Sequence, residues 1–188
     1  EAGHTISPDV DGADAVIINT CGFIESAKSE AIDNILEMAQ LKKEGRVKRI
    51  IVTGCLSERY RDEVLAELPE IDALCGVSNY GDIDVIVEKA MQAPEGCPVT
   101  SFGDKNAPIE ELDRIVTTGP GWAYLRIAEG CSNRCAFCVI PDIRGRYRSR
   151  RPESVLEEAR ALAQAGVKEL IVIAQDITRY GLDLEPKC

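Results

Sequence analysis

Three cysteines fall within eight residues in the stretch Cys131-Ser-Asn-Arg-Cys135-Ala-Phe-Cys138. They follow directly on an apolar run, residues 122–128, and on Gly130. Cysteine thiolate is the ligand of iron–sulfur clusters. Three such groups on one short loop can hold three irons of a cubane and leave its fourth iron open to another ligand. Structural zinc takes four ligands, usually as paired Cys-x-x-Cys knuckles, and no second knuckle is present. Three cysteines this close together also fit poorly with thiols that act only as small buried hydrophobes. The residue types and spacing point to an iron–sulfur cluster, with zinc or no metal as the alternatives.

The surrounding chain must present that loop. Residues 13–19 (ADAVIIN) and 48–53 (KRIIVT) read as buried strands, because short apolar runs bounded by polar residues suit a sheet covered on both faces. The periodicity predicts helices over 24–43, 57–68 and 82–91, with Ser57 as N-cap of the second, and a third strand over 73–77. Strand–helix alternation of this kind builds a parallel sheet. Cys21 and Cys55 then fall just past the C-terminal ends of two parallel strands, the edge where open α/β sheets gather ligands. They could share a second cluster or simply be buried thiols. Cys75 reads as core, and neither Cys97 nor Cys188 receives a role.

From 94 to 121 the chain is punctuated by proline and glycine and reads as a linker. A strand over 122–128, the cysteine loop, a helix over 152–165 and a strand over 168–174 follow. The expected organisation is an α/β domain over 1–93, a linker over 94–121 and a second α/β unit over 122–188. A strand–helix–strand unit needs roughly 30 residues, so this second half can begin a barrel but not close one. The sequence also opens without methionine and reads as an internal piece of a longer enzyme.

Composition narrows the function. The net charge is −10 and hydrophobic residues make up 45% of the 188, which suits a folded chain and argues against general binding to nucleic acid or anionic membrane. Between residues 121 and 152, however, seven arginines face two acids, a local excess of five positive charges. Arg144, Arg146, Arg148 and Arg150 recur with period two and would share one face of an extended segment. No apolar run approaches the ~20 residues of a membrane span. With His4 the single histidine, histidine acid–base or triad chemistry is disfavoured. Eight cysteines suit metal or catalytic use in the cytoplasm.

The Cys-x-x-x-Cys-x-aromatic-Cys pattern resembles the radical S-adenosylmethionine enzymes. Further stretches sharpen the resemblance to the methylthiotransferases: Asn19-Thr-Cys-Gly-Phe-Ile24, Thr53-Gly-Cys55, Ile127-Ala-Glu-Gly-Cys131, Cys138-Val-Ile-Pro141, Ile143-Arg-Gly-Arg-Tyr-Arg-Ser-Arg150 and Ala174-Gln-Asp-Ile-Thr-Arg-Tyr-Gly181. The Gly-Phe-Ile and Gln-Asp-x-Thr-Arg-Tyr-Gly forms match the branch that modifies an aspartate of small-subunit ribosomal protein twelve. The alternative branch methylthiolates adenosine in tRNA, and only that reading would make nucleic acid a partner. A rival of another class is an iron–sulfur electron-transfer or scaffold protein that does not use S-adenosylmethionine.

The resemblance implies a Rossmann-like N-terminal domain followed by the first strand–helix–strand part of a radical S-adenosylmethionine barrel, a partial TIM barrel. It implies two 4Fe–4S clusters in the whole enzyme. Cys131, Cys135 and Cys138 would ligate the one whose open iron chelates S-adenosylmethionine. One electron then yields a 5′-deoxyadenosyl radical, able to activate the aspartate β C–H, which is too weakly acidic for an ordinary base. Cys21 and Cys55 would ligate the sulfur-donating cluster, whose first family ligand precedes this sequence, so that cluster is incomplete here. Phe137 would line the adenine side. Gln175 or Asp176, after the second barrel strand, would meet the methionyl amino group or else cap a helix. Arg144 and its neighbours would meet the cofactor carboxylate or an acidic substrate, or else face solvent. Glu129 reads either as support for the cysteine loop or as polar surface. Expected partners are the ribosomal protein, a flavodoxin-like electron donor and a sulfur source, in the cytoplasm and without a membrane. The chain by itself is not expected to be an active enzyme.

Overall fold

The computed structural model describes residues 3–112, 114–119 and 121–185; Cys188 lies outside them. The chain divides into two compact units, Glu1–Asp104 and Lys105–Cys188.

The first unit is built on β2 (Arg49–Gly54), in which every residue after Arg49 is buried. Along β2 the side chains alternate between two cores, as strand geometry requires. Ile50 and Val52 pack with Leu74, with Ala31, Ile35 and Ala39 of α1 (Glu25–Lys43), and with Leu56 and Val64 of α2 (Cys55–Glu67). Ile51 packs with Ala73, Cys75 and with Ile86 and Ala90 of α3 (Ile83–Gln92). Burying each such aliphatic side chain contributes about 1.5–3 kcal/mol. On one edge β1 (Ala15–Thr20) runs parallel to β2, from Ala15 opposite Arg49 to Thr20 opposite Gly54. On the other lie β3 (Ala73–Cys75) and β4 (Val99–Ser101), also parallel, giving the order β1-β2-β3-β4. The result is the Rossmann-like parallel sheet that the sequence predicts.

Asp72 locks the far end of this sheet. Its buried carboxylate accepts the Ile50 N–H at 2.8 Å and pairs with Lys42 at 2.5 Å, at the end of α1.

Two details of this unit differ from expectation. The stretch read as linker contains β4, whose three residues are held by pairing to β3 rather than by a periodicity of their own. The second helix starts at Cys55, two residues before the expected cap. Ser57 lies inside its first turn, where its hydroxyl donates to the carbonyls of Gly54 and Cys75.

In the second unit β5 (Trp122–Arg126) pairs in parallel with β8 (Glu169–Ile173), joined through α5 (Pro152–Gln164). This is the strand–helix–strand opening of a barrel. The expected single strand over 122–128 instead breaks at Ile127. Beyond it β6 (Ala128–Glu129) turns to pair antiparallel with β7 (Arg148–Ser149). Between them lies α4 (Ile140–Arg144), a five-residue helix with Pro141 in its first turn, a position that costs no hydrogen bond. The β8 residues Ile171, Val172 and Ile173 each remain more than one-third exposed. Among the described residues no helix is long and apolar enough to cross a membrane.

Candidate metal centre

Cys21 and Cys55 follow Thr20 and Gly54, which face each other in register at the ends of β1 and β2. The approach of the two strand ends depends on glycine. Gly54 has φ +104°, and a Cβ there would run into the Thr20 carbonyl oxygen and lie 2.6 Å from Asn19 Oδ1. A Cβ on Gly22 would lie 2.9 Å from the Cys55 carbonyl. The Thr20 hydroxyl donates to the Thr53 carbonyl at 2.7 Å, and Arg59 donates to the Gly22 carbonyl at 2.8 Å. Cys55 is buried and Cys21 half-buried. Two thiols therefore occupy equivalent posts on one sheet edge. Cys75, at the end of β3, is 1% exposed, and burial pushes its thiol up to about 11. A thiol so reluctant to ionise is a poor ligand.

The cysteine loop begins where β6 ends. Gly130 has φ +77°, and a Cβ there would meet the carbonyl oxygens of Arg146 and Gly145, the latter at 2.7 Å. The Cys131 N–H donates to the Gly145 carbonyl at 3.1 Å, and the Tyr147 N–H donates to Ser132 Oγ at 3.0 Å. The loop thus closes against the segment that returns from α4. Along it Cys131 is buried, Cys138 half-buried and Cys135 exposed, while the Cys138 N–H donates to the Cys135 carbonyl at 2.9 Å. Arg134 has φ +49°, a conformation that costs a non-glycine residue about 1–3 kcal/mol. Phe137 is 92% exposed.

Asp176 comes to the same loop. It caps a 3-10 turn over Ile177–Arg179, accepting from the Thr178 N–H at 3.1 Å and the Thr178 hydroxyl at 2.6 Å. It also accepts from Asn133 Nδ2, between Cys131 and Cys135, at 2.9 Å. Those bonds, Thr178 first and Asn133 second, hold its carboxyl below the usual range. Gln175 is exposed.

The arginines do not form the expected ladder. Arg144 ends a helix and Arg146 lies in a bend, so the segment is not continuously extended. Arg144 Nη1 donates to Glu129 Oε1 at 3.3 Å. Arg148 donates to the carbonyls of Arg144 and Arg146 at 3.3 and 3.1 Å. Arg150 is buried between Glu111 and Glu158. Glu129 is itself buried, which disposes of the polar-surface reading. A charged residue inside the apolar run before Gly-Cys was its signal in the sequence. Asn133 carried no comparable one.

Among the described residues no three of His, Cys, Asp or Glu stand close enough together to hold a metal ion, and the seven described cysteines form no disulfide. The donor set on the loop nevertheless fits an iron–sulfur cluster: three thiols, no competing carboxylate between them, and two that reach solvent. Cys21 and Cys55 place two further thiols at one edge of the first unit's sheet.

Comparison with known proteins matches two separate stretches of the chain. Residues 1–76 match the family described as Uncharacterized protein family UPF0004, and residues 125–185 match the Radical SAM superfamily. The chain is similar to proteins named Ribosomal protein uS12 methylthiotransferase RimO. Identity is 53% over 188 residues with that of Thermoanaerobacter sp. (strain X514), covering 100% of this chain and 42% of the relative. It is 49% over 186 residues with that of Clostridioides difficile (strain 630), covering 98% and 41%. With that of Caldicellulosiruptor saccharolyticus it is 46% over 189 residues, covering 100% and 42%. The chain spans about two-fifths of the length of these curated relatives.

Proposed function

We infer that this chain belongs to the radical S-adenosylmethionine methylthiotransferases, and from that premise we propose that Cys131, Cys135 and Cys138 hold a 4Fe–4S cluster that binds S-adenosylmethionine. The whole protein would add a methylthio group to the β-carbon of an aspartate in ribosomal protein uS12. Identity near one-half along the whole chain to proteins that carry that name carries the substrate assignment. The cluster with its S-adenosylmethionine, when bound, supplies the one-electron chemistry that an unactivated C–H bond requires.

The chain's own residues bind and orient. The Gly130 and Cys131 backbones, packed on the Gly145–Arg146 carbonyls, fix where the first thiolate sits. Asp176, steadied by Thr178 and linked to the loop through Asn133, would accept a hydrogen bond from the methionyl ammonium. The exposed ring of Phe137 offers a face for adenine. Gln175 is the alternative contact. Arg144 pairs with Glu129 through Nη1 and would meet the cofactor carboxylate from there. Cys21 and Cys55 would contribute to the second, sulfur-donating cluster. A flavodoxin-like protein as electron donor, a sulfur source and a cytoplasmic setting complete the proposal, since exposed thiols persist in reducing compartments.

The test is anaerobic reconstitution of the chain with iron and sulfide, followed by electron paramagnetic resonance of the reduced protein with and without S-adenosylmethionine. The expected result is a cluster signal that shifts on adding the cofactor and is lost in Cys135→Ala. A signal indifferent to the cofactor would leave an iron–sulfur scaffold, and zinc alone would end the proposal. With the full-length protein, methylthiolation of a uS12 aspartate peptide is expected. Modification of adenosine in tRNA instead would move the chain to the other branch.

A further inference from the structure

Glu129 lies two residues before Cys131, and Arg144 six residues after Cys138. The Glu129 carboxylate, 9% exposed, accepts from Arg126 Nη1 at 2.5 Å and from Arg144 Nη1 at 3.3 Å. One oxygen thus serves β5 and the other the end of α4. Backbone bonds run the same way: Glu129 pairs opposite Arg148, and the Cys131 N–H reaches the Gly145 carbonyl. The loop from Gly130 to Arg144, which carries all three thiols, starts and ends at these two anchor points.

Resting on the function proposed above, we infer that Glu129 is a positioning residue. Its carboxylate ties the start of the cysteine loop to its end and fixes the Cys131 thiol where a cluster would need it. A buried carboxylate held closely by Arg126 and at 3.3 Å by Arg144 acts as a clamp, because opposite charges attract strongly away from water and guanidinium presents its donors in a fixed plane. Cys135 is exposed and Cys138 half-buried, so packing holds these two thiols less than it holds the buried Cys131.

The clamp can be tested without a cluster. The metal-free, reduced 188-residue chain is alkylated with iodoacetamide under native conditions, and the rate at each cysteine is read by peptide mass spectrometry. In the parent, Cys135 reacts first and Cys131 slowly. In Glu129→Gln the Cys131 rate is expected to rise about tenfold, as loss of one charged hydrogen bond implies. Cys55, Cys75 and amide hydrogen exchange across β5 and β8 should be unchanged. A Cys131 rate that does not move overturns the inference. So does one that rises together with exchange in β5 and β8, because that is general loosening of the unit.

Should Glu129→Gln fail to fold, Arg144→Lys, which keeps the charge and loses the planar fork, is expected to accelerate Cys131 to a lesser degree. No acceleration there overturns the inference too. After reconstitution, iron should leave Glu129→Gln for a chelator faster than it leaves the parent. If the parent takes up no cluster, the proposed function fails, while the alkylation rates still decide the clamp.

Discussion

Thr20 and Gly54 end neighbouring parallel strands face to face, and the Thr20 carbonyl occupies the space where a Gly54 side chain would begin. Gly54 also holds φ +104°, in the region L-residues avoid. Gly54→Ala is therefore expected to destabilise the first unit by roughly 2–3 kcal/mol, from strain and collision together. Urea unfolding would show it as a lower midpoint at unchanged slope. The same variant should make Cys55 more reactive toward alkylation, because the strand ends on either side of it must separate.

Cys75 gives the first unit an alkaline weakness. In the unfolded chain its thiol titrates near 9.0, whereas in the sheet burial raises it to about 11. Folding favours the neutral form, so this stabilisation is complete below pH 9 and is lost as pH rises toward about 11. The difference is worth roughly 2–3 kcal/mol. Cys75→Ala should flatten that part of the stability–pH curve measured by denaturant titration. An equal alkaline loss in the variant would assign it to other groups.

Arg150 joins three parts of the second unit. Its Nε and Nη2 donate to Glu111 at 2.9 and 2.5 Å, and its Nη1 donates to Glu158 at 2.5 Å and to the Arg126 carbonyl at 2.6 Å. Burial works against its charge, but the two carboxylates outweigh burial and raise its pKa. Lysine cannot reproduce that fork, and Arg150→Lys is expected to cost about 2 kcal/mol. The exposed neighbour substitution Arg151→Lys should stay within about 0.5 kcal/mol. Thermal midpoints of the two variants would separate these outcomes.

Phe137 separates binding from folding. Its ring is 92% exposed, so Phe137→Ala should change stability by less than about 0.5 kcal/mol. If the ring stacks on adenine, the reconstituted chain should bind S-adenosylmethionine about fivefold more weakly, since one aromatic contact is worth about 1 kcal/mol. Calorimetry on both forms would measure this. Equal affinities would remove Phe137 from the cofactor site.

The sequence announces elements that carry their own pattern. Residues Ile50–Val52 read as strand because both faces of β2 are buried, and the parallel register of β1 and β2 explains why Cys21 and Cys55 stand at matching posts. Elements that exist through their partners do not announce themselves. β4 is three residues amid prolines and glycines, held by β3. α4 is a single helical turn or so, shaped by the loop it closes. The arginine periodicity misleads because it implies an extended backbone, while Arg144 lies in a helix and is drawn to Glu129. Ser57 misleads in the same way: a good cap residue finds better acceptors in the Gly54 and Cys75 carbonyls. A long-range ion pair leaves no local trace, so the link from Glu129 to Arg144 appears only in three dimensions.

The exposed side chains of β8 bear on how this chain behaves while it folds. Glu169-Leu-Ile-Val-Ile173 pairs along one edge with β5, and among the described residues no strand occupies its other edge. An apolar, largely β-branched stretch after Glu169 with an open strand edge is a template for a second molecule. Refolding of the chain would then be a competition between intramolecular closure and bimolecular association. Soluble yield would fall as protein concentration rises, and a lysine at Ile171 or Val172 would recover it without touching either cysteine site.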